Sequence, residues 1–200
     1  VRRWVGDGVM PLGAAKAALL GAAGSAGGGS TMEFIAKVVM DGTSTALSFT
    51  SVPQNYRHLR IIMASGQRAS SANAGISCQL NGDTTALNYG WQVLYHLTPG
   101  GGAGASANAG YWPPHGDMPN SSNASTVMWE LGNYSDSSVG TSINWKMAVD
   151  QQNSGITGFG ASNWETAAAV TQVDLTSSYT TSGYYYEAPT TFALFGIGAV

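Results

Sequence analysis

The stretch "INWKMAVD", residues 143–150, alternates apolar and polar residues with a period of two. One face would carry Ile143, Trp145, Met147 and Val149, and the other Asn144, Lys146 and Asp150. Side chains alternate in this way along a β-strand. The stretch therefore predicts a strand that buries one face and turns the other to water or to a neighbour.

From Glu33 onward the chain repeats short runs of β-branched and aromatic residues, separated by clusters of Gly, Asn, Asp and Ser. The other predicted strands are "EFIAKVVM" (33–40), "STALSFTS" (44–51), "HLRIIMAS" (58–65), "GISCQLNG" (75–82), "YGWQVLYH" (89–96), "TVMWELGN" (126–133), "GITGFGAS" (155–162), "AAAVTQVDL" (167–175) and "TFALFGIG" (191–198). Asp41-Gly42 is a hairpin-type dipeptide between the first two of these. About ten strands, with turn signals every 8–12 residues, predict an all-β fold: an antiparallel β-sandwich of jelly-roll type.

Composition excludes several classes of partner. Only 10% of the 200 residues are charged and the net charge is −3, so there is no basic stripe and we expect no nucleic-acid partner. No run approaches the roughly 18 apolar residues of a membrane span, so we expect no membrane insertion. Cys78 is alone, which excludes an intramolecular disulfide, and its alternation with Ile76 and Leu80 predicts a small buried hydrophobe.

The opening segment differs from the rest, because "MPLGAAKAALLGAAGSAGGGS" (10–30) joins a short Ala/Leu run to a glycine-rich tail. An isolated helix of two or three turns is marginal in water, so this one would form only by docking on a partner. The docking stripe would consist of Leu12, Lys16, Leu19 and Leu20. A minimal signal peptide and a floppy tail are the alternatives. We expect an anchor arm over residues 1–32 and a sandwich over residues 33–200, with either Val1 or Met10 as the true start.

The longest predicted strand-free stretch runs from Thr98 to Ser125 and contains "GYWPPH" (110–115). A loop this long in a compact domain is usually functional or disordered. The two prolines stiffen its centre, which reduces the entropy lost when adjacent aromatic residues bind a partner. The predicted contact residues are Tyr111, Trp112 and His115. The alternative is that Trp112 packs over one end of the sandwich.

Residues suited to catalysis or metal binding form no recognisable pattern. His58, His96 and His115 lie on separate elements without metal-ligand spacing, and no G-x-S-x-G elbow occurs. The candidate carboxylates for glycoside hydrolysis are Asp150, Glu165 and Asp174. Asp150 lies on the polar face of a predicted strand, where an ordinary solvated acid is expected. We therefore expect a protein that is not an enzyme and has no metal and no cofactor.

Aromatic residues among small polar ones remain as adaptable binding surfaces for sugars or proteins. These are Trp91, Tyr95, Tyr111, Trp112, Trp164 and the run Tyr184-Tyr185-Tyr186. Strand position assigns Trp91, Trp129 and Trp145 to the core, so at least half of the aromatic residues are expected to be buried.

Three stretches resemble a family of tailed-bacteriophage virion proteins: "SFTSVPQNYRHLRIIMAS", "ISCQLNGDTTALNYGWQVLYH" and "SNWETAAAVTQVDLTSS" with the closing "TTFALFGIG". The shared pattern is Val/Ile-Pro-x-x-Tyr-x-x-Leu, then Asn-Gly-Asp with a nearby Asn-Tyr, a Trp before an Ala/Ile strand, and a final Phe-x-Leu-[YF]-Gly-Ile. Physically, Pro53 marks an edge turn, Gly82 can take positive φ, and a glycine of "LFGIG" lets a neighbouring chain approach.

The resemblance implies a structural protein on the virion exterior with no enzymatic activity. The opening segment also resembles the N-termini of otherwise different proteins from such phages, which implies a common docking peptide. A tail fibre or receptor-binding protein would dock on a tail adaptor or baseplate and present loops to a host glycan or protein. A capsid decoration protein would staple the major capsid protein. The arm and the aromatic loop favour the tail, and a carbohydrate-binding module is a further alternative.

We also expect a homotrimer. Uncharged faces rich in Gly and Ser that expose aromatic residues are poor monomer surfaces, and virion fibres and caps usually have cyclic symmetry.

Overall fold

The computed structural model describes residues 32–66, 75–97, 100–107, 125–151, 154–177 and 185–199. These residues form eleven β-strands and, between β4 and β5, a single 3-10 turn at Ala86–Asn88. The strands are β1 (Met32–Val39), β2 (Ala46–Thr50), β3 (Tyr56–Gly66), β4 (Ile76–Leu80), β5 (Tyr89–Leu97), β6 (Gly100–Ala107), β7 (Ser125–Gly132), β8 (Thr141–Gln151), β9 (Ser154–Trp164), β10 (Gln172–Ser177) and β11 (Thr191–Ala199).

The strands build two antiparallel sheets that pack face to face. The large sheet has eight strands in the order β1-β11-β3-β7-β8-β9-β5-β6, and the small sheet has three in the order β2-β10-β4. Strands from the two ends of the chain pair in a nested way, β1 with β11, β2 with β10 and β5 with β9. The predicted all-β antiparallel sandwich is confirmed, and its nested pairing is that of a jelly roll.

The core lies between the sheets and follows the predicted alternation. Ile143, Trp145, Met147 and Val149 of β8 are all buried, whereas Asn144 and Lys146 between them are exposed. The small sheet faces this layer with its own alternate residues, which include Phe49, Ile76, Cys78, Leu80, Val173 and Leu175. Burying one large apolar side chain contributes about 1.5–3 kcal/mol, so this common core is the main force holding the two sheets together.

Asp41-Gly42 does not close a hairpin, which corrects the sequence prediction. β1 pairs with β11 in the large sheet and β2 pairs with β10 in the small sheet, so the dipeptide lies where the chain passes from one sheet to the other. Gly42 does adopt a positive φ of 87°, and the Asp41 carboxylate accepts hydrogen bonds from the backbone N–H groups of Thr43 and Ser44. Local turn chemistry was predicted correctly, but it does not determine which strands pair.

The glycine-rich segment "GGGAGASA" (100–107) forms strand β6, although the sequence predicted a strand-free stretch from Thr98 to Ser125. Every residue of β6 pairs with β5, from Leu97↔Gly100 to Gly90↔Ala107. The β5 side chains occupy the space that β6 side chains would need: a Cβ on Gly102 would touch the Tyr95 ring, and a Cβ on Gly104 would lie 3.3 Å from Trp91. Aromatic residues on one strand thus replace the missing side chains of the next.

The predicted strand over 167–175 begins later than expected. β10 starts at Gln172, and the preceding alanines form a connection instead. In that connection Val170 donates its N–H to the Tyr134 carbonyl at 2.7 Å and is fully buried. Val170 is therefore apolar because it packs beneath a loop, and not because it belongs to a strand.

Candidate functional site

The outer face of the large sheet carries the alternate residues that the core does not use. On β8, β9, β5 and β6 these residues form rows across the strands, fixed by the pairing register. One row runs Lys146, Phe159, Leu94 and Ala103, and the next runs Asn144, Ala161, Gln92 and Ala105. A third row contains Ser142, Asn163 and Gly90.

These rows form a depression of about 600 Å³, which we call the outer groove. Its outward-facing lining side chains are Gln92, Leu94, Ala103, Ala105, Asn144, Phe159 and Ala161. Alanines supply the floor, and larger side chains rise beside it. Phe159 and Leu94 are 58% and 51% exposed, which is unusual for large apolar side chains in the middle of a sheet.

Two further depressions adjoin the outer groove on the same face. One, of about 470 Å³, shares Gln92, Ala105 and Ala161 with it and adds Asn163 and Glu165. The other, of about 490 Å³, shares Leu94 and Phe159 and adds Lys146, His96 and Thr157. The surface is therefore elongated and follows β9 and β5 rather than forming one closed cavity.

Polar groups in the outer groove are mostly amides. The Gln92 and Asn144 side chains are exposed on the outer face and line the groove. Asn163 donates to Glu165 Oε1 at 3.0 Å. Lys146 and Glu165 are the charged side chains among the described lining residues, and they line different depressions. The middle of the groove is therefore uncharged.

A second polar cluster lies at the end of the sandwich around Asp83, in the predicted Asn-Gly-Asp turn. The Asp83 carboxylate accepts hydrogen bonds from Trp164 Nε1 at 2.8 Å, from Asn88 Nδ2 at 2.7 Å and from the Thr85 N–H at 2.9 Å. Gly82 has the predicted positive φ, 67°. The cluster ties the turn after β4 to the end of β9, so its role is structural.

Burial opposes ionisation of Asp83, but the hydrogen bonds from Asn88, Trp164 and Thr85 outweigh it. The pKa of this carboxyl therefore lies well below its ordinary value. The neighbouring Tyr89 hydroxyl accepts from the Leu80 N–H and donates to the Asp83 carbonyl, and burial raises its pKa. Both groups keep one protonation state near neutral pH, which suits a structural cluster.

Asn81 extends this cluster. Its side-chain oxygen accepts from the N–H groups of Thr171 and Gln172, and its amide nitrogen donates to the Ala169 carbonyl. The Asn-Gly-Asp motif therefore ties the start of β10 to the turn after β4, and each of its two polar side chains fixes a different segment.

Two of the carboxylates considered for glycoside hydrolysis, those of Glu165 and Asp174, belong to different sheets. Glu165 directly follows β9 of the large sheet, whereas Asp174 lies on β10 of the small sheet and accepts hydrogen bonds from Ser48 and Gln172. Sheets pack about 10 Å apart, and catalytic pairs are within about 5–9.5 Å. Asp150 lies on β8 opposite Gly155. Glu165 and Asp174 therefore do not form a facing acid pair.

The described histidines do not converge either. His58 lies on β3 and His96 on β5, which are four strands apart in the large sheet, or about 19 Å. In the described ranges, no group of three His, Cys, Asp or Glu side chains is placed to hold a metal ion. In the same part of the chain, no helix is long and apolar enough to cross a membrane.

Several aromatic residues proposed as binding surfaces point inward. Trp164 and Tyr186 are buried in the core, and Trp91 and Tyr95 pack partly buried against it. Trp129 and Trp145 are buried as predicted. The binding role proposed for Trp164 and Tyr186 is therefore wrong, because both lie at core-facing positions where solvent does not reach them.

The predicted anchor and contact residues lie outside the described residues. These are Leu12, Lys16, Leu19 and Leu20 of the arm, and Tyr111, Trp112 and His115 of the long loop. Their assignments stay predictions.

The sequence prediction missed Phe159, Gln92 and Asn144 as groove residues. A signal for Phe159 exists in "GITGFGAS", where glycines at 158 and 160 alternate with Thr157, Phe159 and Ala161. Because Ile156 and Trp164 fix the inward register of β9, Phe159 must point outward. For Gln92 and Asn144 the alternation predicts exposure, but only the strand order brings them together.

The fold and the groove together define an all-β sandwich with an open, ligand-sized groove on its large sheet. No protein-family model matches the chain, and no curated protein matches it in sequence. Among solved structures it is similar to the endo-beta-1,4-glucuronan lyase of the fungus Trichoderma reesei, with 10% identity and a TM-score of 0.29 over 88% of this chain and 89% of the lyase.

Two peptidase structures show weaker similarity. Scytalido-glutamic peptidase has 14% identity and a TM-score of 0.20, and SCP-B, a member of the eqolisin family, has 10% identity and a TM-score of 0.19. The alignments cover 84% and 85% of this chain, but 65% of each peptidase. TM-scores this low do not establish a common fold, so no function is transferred.

Proposed function

We propose that the chain is a structural protein on the exterior of a tailed-bacteriophage virion, of the tail-fibre or receptor-binding type. In this proposal the arm over residues 1–32 docks on the particle, the sandwich faces outward, and the outer groove binds a partner. The protein acts by binding and carries out no reaction.

The observation that supports the proposal is where the residues of the resembling pattern lie. Tyr56 donates its N–H to the Tyr134 hydroxyl, and its ring lies against Gly196, which shows that the close approach at "LFGIG" is made within this chain. Asp83 holds Trp164. These pattern residues build the scaffold, whereas Asn144, Phe159 and Ala161 of the outer groove lie outside the three resembling stretches. Function then resides in a surface presented by a common scaffold.

Capsid decoration is the second candidate, and the surface of β1 favours it. Met32, Phe34 and Val39 are 49%, 58% and 53% exposed on this edge strand, which follows directly after the arm. An apolar edge next to the arm suits a protein lying flat on a capsid. Tail location is the better candidate because it also gives a role to the outer groove. The groove lies on the same face as the exposed β1 residues, toward the opposite edge of the large sheet.

The test is localisation on particles. Phage particles carrying a tagged copy of the chain are imaged by electron microscopy with a tag-specific label. Label on the tail supports the proposal, label on the head supports decoration, and purified particles without the chain overturn both.

Deletion of residues 10–29 tests the arm. The described strands begin at Met32, after the deleted segment, so the truncated protein is expected to keep its melting temperature and to be absent from particles. The control is the full-length tagged chain. Particles that still carry the truncated protein would contradict docking through the arm.

A further inference from the structure

We propose that the outer groove is a binding site for an uncharged oligosaccharide chain, with Phe159 as its stacking platform and Gln92 and Asn144 as its hydrogen-bonding groups. The inference deepens the proposed function, since it names the chemical class of the partner and rests on that function for its setting.

The geometry comes from the pairing register. Ala161 lies between Asn144 on β8 and Gln92 on β5, so the two amides stand about 10 Å apart on either side of a methyl floor. Phe159 lies two residues before Ala161 on the same strand and the same face, about 7 Å away. An extended ligand lying in the groove would therefore meet an apolar ring and two amides at once.

The ring is available because the next outer-face residue along β9, Ala161, has only a methyl side chain. Gly158 and Gly160 flank Phe159, and the space on their core side is taken by Met147 and the Trp145 ring. Phe159 is thus placed on a strand that is well packed from below while remaining 58% exposed above. A sugar ring presents apolar C–H faces that can cover such an aromatic surface without losing its hydroxyl hydrogen bonds.

The polar groups fit hydroxyls better than ions. An amide side chain offers both donors and an acceptor, which matches a hydroxyl that also donates and accepts. Recognition of a polyanion needs several clustered Lys or Arg side chains, and the described lining residues include Lys146 alone. Recognition of a basic ligand would need clustered acidic side chains. The described lining residues include one acidic side chain, Glu165, which already accepts a hydrogen bond from Asn163.

A protein partner fits less well. Protein interfaces centre on large anchors that fill pockets, with Trp, Tyr and Arg enriched. The middle of the outer groove is instead a strip of alanines between amides, a shallow floor that accepts a narrow chain.

The experiment uses the full-length protein on an array of immobilised neutral oligosaccharides (glucans, mannans, galactans and rhamnans) and acidic ones (polyuronates and sialylated glycans). A soluble form of each bound glycan is then titrated by calorimetry, which measures the dissociation constant per site and is independent of avidity. Binding of at least one neutral glycan is expected, and binding of acidic glycans alone, or of none, overturns the proposal.

Variants locate the site. Phe159→Ala is expected to weaken binding at least about tenfold, as for aromatic anchors that become buried when the partner binds. Ala161→Trp places a large side chain on the exposed floor and is expected to abolish binding while leaving the core intact. The matched control is Phe34→Ala, since Phe34 is also 58% exposed on the same outer face but lies on β1 at the opposite edge of the sheet.

The result that supports the proposal is loss of binding in both groove variants, with circular dichroism and melting temperature unchanged, and full binding in Phe34→Ala. Unchanged binding in Phe159→Ala and Ala161→Trp would overturn it, as would competition for the groove by a virion or host protein in place of any glycan. Absence of the chain from particles would overturn the virion role and leave glycan binding by the purified protein intact, so the two failures are distinguishable.

Discussion

Asp83 connects two segments that are distant in the sequence, because its carboxylate accepts hydrogen bonds from Trp164 on β9 and from Asn88 and Thr85 beside β5. The Trp164 ring is buried, so its N–H has no access to bulk water if the carboxylate is removed. A buried donor left without a partner costs about 1–3 kcal/mol.

Asp83→Ala is therefore expected to lower the free energy of unfolding by about 2 kcal/mol, measured by urea denaturation at pH 7. The matched control is Asp136→Ala, whose carboxylate accepts hydrogen bonds from Ser138 in an exposed turn. The control is expected to change stability by less than about 1 kcal/mol. Equal effects of the two substitutions would contradict the special role of Asp83.

The lowered pKa of Asp83 makes part of the stability depend on pH. Because the folded-state pKa lies below the unfolded value near 3.8, the unfolded chain binds more protons between the two, and stability rises with pH there. The contribution is present above about pH 5 and is lost as the pH falls below about 4.

The measurement compares the native chain with Asp83→Asn, which does not titrate. Their difference in unfolding free energy is expected to shrink between pH 7 and pH 3. Asp41 and Asp136 also have lowered pKa values, but they are present in both proteins and cancel. Parallel stability profiles down to pH 3 would contradict the prediction.

At the scale of elements, glycine and aromatic residues are paired across neighbouring strands of the large sheet. Gly160 on β9 lies under the Trp145 ring of β8, Gly102 on β6 under Tyr95 of β5, and Gly196 on β11 under Tyr56 of β3. Each large ring covers a position that has no side chain. This pairing holds two glycine-rich strands in a packed sheet, β9 in its interior and β6 at its edge.

Gly160→Ala tests this packing. The added Cβ would overlap the Trp145 ring and come within 2.5 Å of the Gln92 carbonyl oxygen, neither of which can move freely. Overpacking of this kind costs about 1–3 kcal/mol, and we expect a loss of about 2 kcal/mol by thermal or urea unfolding.

The control in the same strand is Gly155→Ala, where the new Cβ would have its nearest neighbour, the Val149 carbonyl oxygen, at 3.9 Å. Its effect is expected to be neutral or slightly stabilising, since alanine restricts the unfolded chain more than glycine does. Equal destabilisation at 155 and 160 would mean that glycine is required for backbone reasons alone.

At the scale of the whole molecule, strand β1 exposes several large apolar side chains. Monomeric β-sandwich proteins rarely expose such a patch. Phe34 packs edge-to-face on Phe195 at 5.9 Å between ring centroids, and both belong to the outer face at the edge of the sheet. Exposed edges and apolar patches promote association between copies.

We expect the purified chain to be a homotrimer by multi-angle light scattering at tens of micromolar. Phe34→Glu is expected to shift it to the monomer, because a charge on this patch would be buried without a partner in the assembly. Val139→Glu, an exposed apolar position in the β7–β8 turn, is the control and should leave the assembly unchanged. A monomer before any substitution would contradict the prediction.

The sequence by itself determined the local character of the fold. Alternation in "INWKMAVD" predicted which face of β8 is buried, the flanking Ile76 and Leu80 predicted the burial of Cys78, and Asn81-Gly82-Asp83 predicted a turn with positive φ, all as observed. These features are read from neighbours in the chain, because side-chain period and turn chemistry depend on a few consecutive residues.

Tertiary structure alone decided which strands meet. Residues 100–107 carry no strand signal, since glycine and alanine have low strand propensity, and they pair only because β5 supplies the side chains that cover them. The outer groove depends on the same step: Asn144, Phe159 and Gln92 come from three strands and are neighbours through register. Contacts between distant segments are selected by the packing of the whole core, and that information is not contained in any local stretch of the chain.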